Sequence, residues 1–109
     1  MKDKTIQVTT TQGIDGRPAV AYLGLVSGQA VYGANFMKDF FAGIRDVIGG
    51  RSGSYEKVLR GGREAALADM LAEAQALGAD AVIGVDVDYE TIKESMLMVT
   101  MTGTAVKLD

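Results

Sequence analysis

The sequence ADAVIGVDVDYETI, residues 79–92, carries the clearest secondary-structure pattern in the chain. Apolar side chains alternate with small and acidic ones, as expected of a β-strand whose two faces meet different surroundings. Strict alternation predicts one face with Ala81, Ile83, Val85, Val87 and Tyr89, and a second face with Val82, Gly84, Asp86, Asp88 and Glu90. A polar turn at 93–94 and a second β-prone stretch, 96–107, predict a β-hairpin, so the sheet is at least partly antiparallel.

A long amphipathic helix is predicted before this hairpin. It covers residues 54–77, with Glu56 adding a negative charge to its first turn and Gly78 following its last. Its predicted apolar stripe consists of Tyr55, Val58, Leu59, Gly62, Ala66, Met70, Ala74 and Leu77. The glycine pair at 61–62 costs about 1 kcal/mol per residue relative to alanine, which indicates close approach to another element.

The first half of the chain predicts two strands and a shorter helix. Residues 4–11 are β-prone, a turn follows at 13–18, and 19–31 favour a long strand whose glycines, at 24 and 28, indicate bends or bulges. Asn35 is a candidate N-cap for a helix over 35–48, which the glycines at 49 and 50 terminate. Without a linker or an internal repeat, residues 1–109 predict a single α+β domain with two helices.

Composition limits the classes of function. The chain has 48% hydrophobic residues and a net charge of −3 without long charged blocks, which argues against disorder, nucleic-acid binding and attachment to anionic lipid. No apolar stretch is long enough to span a bilayer and no signal peptide is recognisable, so we expect a cytoplasmic protein. A domain of this size has a modest core, so burial between subunits would add useful stability.

The chain contains neither histidine nor cysteine. Histidine-based catalytic triads, cysteine–histidine dyads and zinc-finger sites are therefore excluded within it. The remaining acidic, basic and hydroxyl residues form no recognisable catalytic constellation, so we expect that the protein is not an enzyme.

Three acidic residues of the predicted strand form the candidate metal site. Asp86, Asp88 and Glu90 lie on one face at spacings of about 6.6 Å, so neighbouring carboxylates can converge on a cation. An all-oxygen site suits a divalent ion such as Ca²⁺, Mg²⁺ or Mn²⁺ better than a soft heavy metal. The alternative is that this row is the solvated face of an edge strand, or that it pairs with arginine from a neighbouring subunit.

A glycine-rich loop before the long helix is the second candidate site. Arg51, Ser52 and backbone N–H groups at the helix N-terminus could hold an anion or line an oligomer axis. The loop lacks the lysine of a nucleotide-binding P-loop and does not follow a strand. A helix–helix turn with a capping serine is the alternative interpretation.

Six segments of the chain resemble the bacterial YbjQ-like family: GAN at 33–35, DFFAGIRD at 39–46, GGRSG at 49–53, YEK at 55–57, ALGADAV at 76–82 and GVDVDYET at 84–91. They cover nearly the whole chain in the same order. The resemblance implies a dodecin-subunit-like fold, with a β-strand meander and two helices, assembled as a ring-like homopentamer. It also implies heavy-metal binding, but it supplies no ligand residues to carry over.

These features predict a homo-oligomeric protein that binds a metal ion, for which a divalent ion is the candidate, or another small ligand. The only partner that we expect is a further copy of the chain. The alternative is a structural oligomeric scaffold that has a protein partner and no ligand chemistry.

Overall fold

Four strands and one long helix make up the described part of the chain. The structure is a computed structural model that describes residues 5–32, 53–92 and 96–109. In chain order its elements are β1 (Gln7–Val8), β2 (Ala19–Tyr32), α1 (Gly53–Ala76), β3 (Ala81–Ile92) and β4 (Met96–Leu108). The strands form one mixed sheet, which confirms the predicted α+β class.

Most of the predicted elements agree with the observed ones where the two can be compared. The long helix, the second strand and the hairpin of β3 with β4 all begin and end within a residue or two of the predicted positions. The β-prone stretch over 4–11 contributes only the 2 residues of β1. The predicted helix over 35–48 and the loop with Arg51 and Ser52 lie outside the described residues.

The strand order corrects the expected meander. The sheet has the order β1-β3-β4-β2, with β1 parallel to β3 and with β4 antiparallel to both of its neighbours. β2 and β3 therefore run in the same direction with β4 between them. Two parallel strands require a connection that crosses one face of the sheet, and α1 forms part of that connection.

A β-bulge at Gly84 interrupts β3. Over residues 83–86, β3 has one residue more than the facing segment of β4. Gly84 has a φ of 61°, a left-handed conformation that glycine adopts without strain. The segment that follows β1 pairs with the bulge, because the N–H groups of Gly84 and Val85 donate to the carbonyl oxygens of Thr11 (2.8 Å) and Thr9 (3.1 Å).

Because of the bulge, the predicted division of β3 into two faces is wrong. Val82 and Val85 both pack in the core with α1, although strict alternation places them on opposite faces. Ala81 and Ile83 pack in a separate cluster on the other side of the sheet. The acidic residues after the bulge share that second side, which α1 does not cover and which we call the open face.

The buried face of α1 repeats every four residues. Gly62, Ala66, Met70 and Ala74 are buried, which confirms this part of the predicted apolar stripe. Leu77 is 46% exposed, so its assignment to the stripe is wrong: the helix has already ended and the chain turns away. With charged residues on its remaining faces α1 could not cross a bilayer, and no other described segment forms a helix that could.

The closest approach of α1 to the sheet occurs at Gly28 of β2. A Cβ atom at Gly28 would overlap the carbonyl oxygen of Ala66 and would lie 2.5 Å from the backbone nitrogen of Met70. On the helix, a Cβ atom at Gly62 would lie 2.7 Å from Cγ2 of Val99. The close approach predicted for the mid-helix glycine pair is thus confirmed at Gly62, and Gly28 is a point of backbone contact.

Two carboxylates of α1 cover part of the outer edge of β2. The N–H of Ser27 donates to Oε1 of Glu73 (3.0 Å), and the N–H of Gln29 donates to Oδ2 of Asp69 (3.1 Å). An edge strand with unpaired N–H groups tends to pair with another chain. The same two side chains therefore position α1 on β2 and close this part of the edge.

Candidate functional site

The open face of the sheet carries the three acidic residues of the predicted metal site. Asp86, Asp88 and Glu90 are exposed and occupy alternate positions of β3 after the bulge. The facing residues of β4 are, in the same order, Thr102, Thr100 and Met98. The helix α1 packs on the opposite side of the sheet, so it leaves these side chains open to solvent or to a ligand.

Hydroxyl and amide side chains extend this acidic row into a larger polar surface. Thr102 and Thr100 lie next to the two aspartates, and beyond them lie Ser27 and Gln29 of β2. Directly opposite residues in an antiparallel pair have Cβ atoms about 4.5–5.5 Å apart, close enough for their side chains to interact. We call this set the oxygen-rich patch: Asp86, Asp88, Thr100, Thr102, Ser27 and Gln29.

The neutral members of the oxygen-rich patch were not predicted from the sequence. One signal for them is the alternation of threonine at 100, 102 and 104, which places three hydroxyl groups on one face of β4. The contribution of β2 has no comparable signal, because it depends on the pairing of β2 with β4 across more than sixty residues of chain.

The side chains of Asp86 and Asp88 come close enough to share a hydrogen bond. That hydrogen bond raises the pKa of Asp88 above its ordinary value of 3.8, because one carboxyl group must keep its proton to donate it. The negative charge of Asp86 raises the same pKa further, and a small loss of hydration and the charge of Glu90 add to the effect. A cation between the two carboxylates would relieve the repulsion that the proton relieves at low pH.

Glu90 does not complete a cluster of three acidic ligands. Within residues 5–32, 53–92 and 96–109, no three or more Asp, Glu, His or Cys side chains are arranged to hold a metal ion. The cross-strand neighbours of Glu90 are Met98 and then Val31, which offer no oxygen donor. Of the predicted trio, the structure therefore brings Asp86 and Asp88 together, while Glu90 contributes charge.

Replacing Asp86 with asparagine is expected to lower the pKa of Asp88 toward its ordinary value. The variant removes the neighbouring charge, and the new amide donates a hydrogen bond to the ionised form of Asp88. Carboxyl carbon shifts followed by NMR from pH 2 to 8 would measure this change. Glu64→Gln, which removes an exposed carboxylate of α1, is the control that should leave the Asp88 titration unchanged.

The raised pKa of Asp88 also fixes the sign of its effect on stability. The native state holds this proton more tightly than the unfolded chain does, so protonation of Asp88 adds to the free energy of unfolding. This contribution is fully present below the unfolded pKa, near 3.8, and is lost as the pH rises through the folded pKa. Asp86→Asn should flatten this dependence in the pH range just above 3.8. An Asp88 titration that is identical in Asp86→Asn and in the unsubstituted protein would contradict the pairing of the two carboxyl groups.

Exposed apolar side chains of β2 flank the oxygen-rich patch: on the open face Tyr22 and Leu25 precede Ser27 and Gln29, and Val31 follows them. Tyr22, Leu25 and Val31 are 74%, 76% and 52% exposed, and their pairing with β4 places all three on the open face. We call these three residues the apolar strip. Large exposed apolar side chains gathered on one surface are typical of protein–protein contact.

Comparisons with known proteins agree with this architecture. The family model YbjQ_1, described as "Putative heavy-metal-binding", matches residues 6–109. A solved structure from Pediococcus pentosaceus ATCC 25745, of a protein with unknown function from the DUF74 family, is similar with a TM-score of 0.59. The sequence identity is 16%, and the match covers 95% of this chain and 98% of that chain. At that identity the likeness supports the fold alone.

Proposed function

This chain belongs to the YbjQ_1 family, and from that membership and the geometry of the open face we propose that it is a homo-oligomeric protein that binds a hard divalent cation at the oxygen-rich patch. The observation that carries the proposal is the pairing of the Asp86 and Asp88 carboxyl groups, which raises the pKa of Asp88. Two carboxylates held this close repel each other when both are ionised. A divalent cation removes that repulsion and is bound more tightly because of it.

The donor set favours a hard cation over a soft heavy metal. Carboxylate, hydroxyl and amide oxygens are the ligands that Ca²⁺, Mg²⁺ and Mn²⁺ prefer. Soft metals prefer thiolate and imidazole ligands, and the sequence contains no Cys and no His. Thioether sulfur is also a soft ligand, but the methionines of β4 are divided between the two faces of the sheet. Met96 and Met98 lie on the open face, whereas Met101 points into the core on the other side.

Self-association is the second part of the proposal. Two paired carboxylates supply fewer oxygens than the six to eight that surround a typical calcium ion, so water or a second subunit would supply the rest. The apolar strip lies on the same face as the oxygen-rich patch and offers exposed area to a further copy of the chain. The subunit number that we propose is five, in a dodecin-like ring, as the family resemblance implies.

At least one of the ions Ca²⁺, Mg²⁺ and Mn²⁺ is expected to raise the melting temperature of the protein saturably. Thermal unfolding at pH 7 with each ion in turn would measure this effect. At a hundredfold excess over Kd, binding to the native state alone adds about 2.7 kcal/mol to the free energy of unfolding. The double variant Asp86→Asn/Asp88→Asn should abolish the response, since it removes both carboxylates without changing side-chain size. Glu64→Gln controls for the loss of charge far from the patch.

Native mass spectrometry of the same samples tests the assembly separately. We expect a pentamer at micromolar concentration, with metal retained by the unsubstituted protein and lost from the double variant. A monomer would contradict the assembly, and a thermal response to metal that survives in the double variant would contradict the site.

The alternative function is a structural scaffold with a protein partner and no ligand chemistry. The apolar strip supports it, because exposed Tyr22 and Leu25 suit a protein surface as well as a second copy. A scaffold would show no thermal response to any divalent cation and would co-purify with one specific protein. In either case we propose a cytoplasmic binding protein without catalytic activity.

A further inference from the structure

A cleft with two arginines lies between α1 and β3, on the side of the sheet opposite the open face. It has a volume of about 290 Å³ and is lined by Glu56, Leu59, Arg60, Arg63 and Tyr89. α1 supplies four of these residues from consecutive turns, and β3 supplies the tyrosine. Neither the acidic row nor the apolar strip takes part in this cleft.

The two guanidinium groups give the cleft a positive charge. Arg60 and Arg63 are exposed and lie three residues apart, so they project from neighbouring positions on the surface of α1. Among the described residues, neither of them forms an ion pair or a hydrogen bond. Glu56, another lining residue, takes part in an interaction of its own. With two arginines against one glutamate, the described lining residues carry a net positive charge.

Tyr89 gives the same cleft an aromatic wall. Its side chain is 46% exposed and follows Val87 on the side of β3 that faces α1. Within the described part of the chain its ring stacks on no other group. Leu59, which packs beside the core cluster around Leu97, adds apolar surface at the helix side.

From this arrangement we infer that the cleft binds a small aromatic anion, that is, a planar ring that carries a phosphate or carboxylate group. The ring stacks on Tyr89 and contacts Leu59, while the anionic group accepts hydrogen bonds from Arg60 and Arg63. Guanidinium groups suit both anions, because their planar N–H groups match two oxygens at once. Offset stacking on an exposed tyrosine adds selectivity for a planar ligand over a bare anion.

Adenosine monophosphate, adenosine, benzoate and inorganic phosphate are the probes that test this inference, by NMR titration of the isotope-labelled full chain. We expect adenosine monophosphate or benzoate to shift the amide signals of residues 56–63 and 89 saturably. Adenosine and inorganic phosphate, which each supply one half of the chemistry, should bind at least about tenfold more weakly than the better aromatic anion. Adenosine monophosphate and benzoate also distinguish a phosphate ligand from a carboxylate ligand.

Variants assign the binding to the cleft. Arg60→Gln and Arg63→Gln should each weaken binding about tenfold, because each removes charge-assisted hydrogen bonds. Arg17→Gln removes an equal charge at a distant loop and should leave the affinity unchanged. All three side chains are exposed, so the variants should fold, and their amide spectra would show it.

Three results would overturn the inference. The first is no saturable shift at residues 56–63 and 89 with either aromatic anion. The second is the same affinity in Arg60→Gln, Arg63→Gln and the unsubstituted protein. The third is equal affinity for inorganic phosphate, because the aromatic ring and Tyr89 would then contribute nothing to binding. Metal binding at Asp86 and Asp88 is measured at residues on the other face of the sheet. The proposed metal site and the proposed cleft ligand can therefore be contradicted independently of each other.

Discussion

Gly28→Ala is expected to destabilise the protein by about 3 kcal/mol or more, because the added methyl group meets backbone and not a movable side chain. At Gly28, a Cβ atom would overlap the carbonyl oxygen of Ala66 and lie 2.5 Å from the backbone nitrogen of Met70. The clash can be relieved only if α1 moves away from β2. That movement would also stretch the hydrogen bonds from Ser27 and Gln29 to the helix carboxylates, at 3.0 and 3.1 Å.

Chemical denaturation of Gly28→Ala beside Gly13→Ala would measure this effect. A Cβ atom at Gly13 has no neighbour within 4 Å, so the control adds the same methyl group in open space. For a domain of about this size, each kcal/mol lowers the melting temperature by about 4–8 °C. Equal stability of the two variants would show that α1 does not contact β2 at Gly28.

The local elements could be predicted because their signals are local. The helix is indicated by its four-residue repeat of small and apolar residues, and the hairpin by the alternation along β3 and the polar turn after it. The position of β2 beside β4 could not be predicted in the same way, because it depends on contacts between distant segments. The same dependence on distant contacts explains the prediction at Gly28. From the sequence this glycine indicated a bend or bulge, but in the structure it is the point where α1 crosses β2.

The candidate site was predicted in part for the same reason. The acidic row lies within one strand, so its members could be recognised from their spacing. Thr100, Thr102, Ser27 and Gln29 belong to two other strands, and only the sheet register brings them beside the aspartates. The arginine cleft likewise joins α1 to Tyr89, a residue that alternation alone assigned to a face with Ala81 and Ile83.

A single glycine, Gly84, explains that wrong assignment. A bulge cannot be read from alternation, because the residues on each side of it still alternate regularly. Its effect is that the next bulky side chain on the core face after Val82 is that of Val85, whereas a regular strand would place residue 84, a glycine here, on that face. The facing position on β4 must leave room for both, and it is occupied by Gly103.

Gly103→Ala is therefore expected to destabilise the protein by about 2–3 kcal/mol through overpacking against the bulge. A Cβ atom at Gly103 would lie 2.5 Å from Cγ1 of Val82, 3.0 Å from Cγ2 of Val85 and 3.3 Å from the carbonyl oxygen of Ile83. Unlike the clash at Gly28, two of these contacts involve side-chain methyl groups, so a second substitution can relieve them. Urea denaturation of the single and double variants forms a double-mutant cycle.

In that cycle, Val82→Ala should recover about 1 kcal/mol or more of the stability lost in Gly103→Ala, even though Val82→Ala alone leaves a cavity. Val85→Ala should recover less, because its methyl group lies 0.5 Å farther from the added Cβ atom (3.0 against 2.5 Å). Strict additivity in both double variants would mean that Gly103 does not accommodate the bulge. The bulge also sets the register at which Asp86 faces Thr102. The packing under α1 and the geometry of the oxygen-rich patch on the opposite face therefore depend on the same bulge.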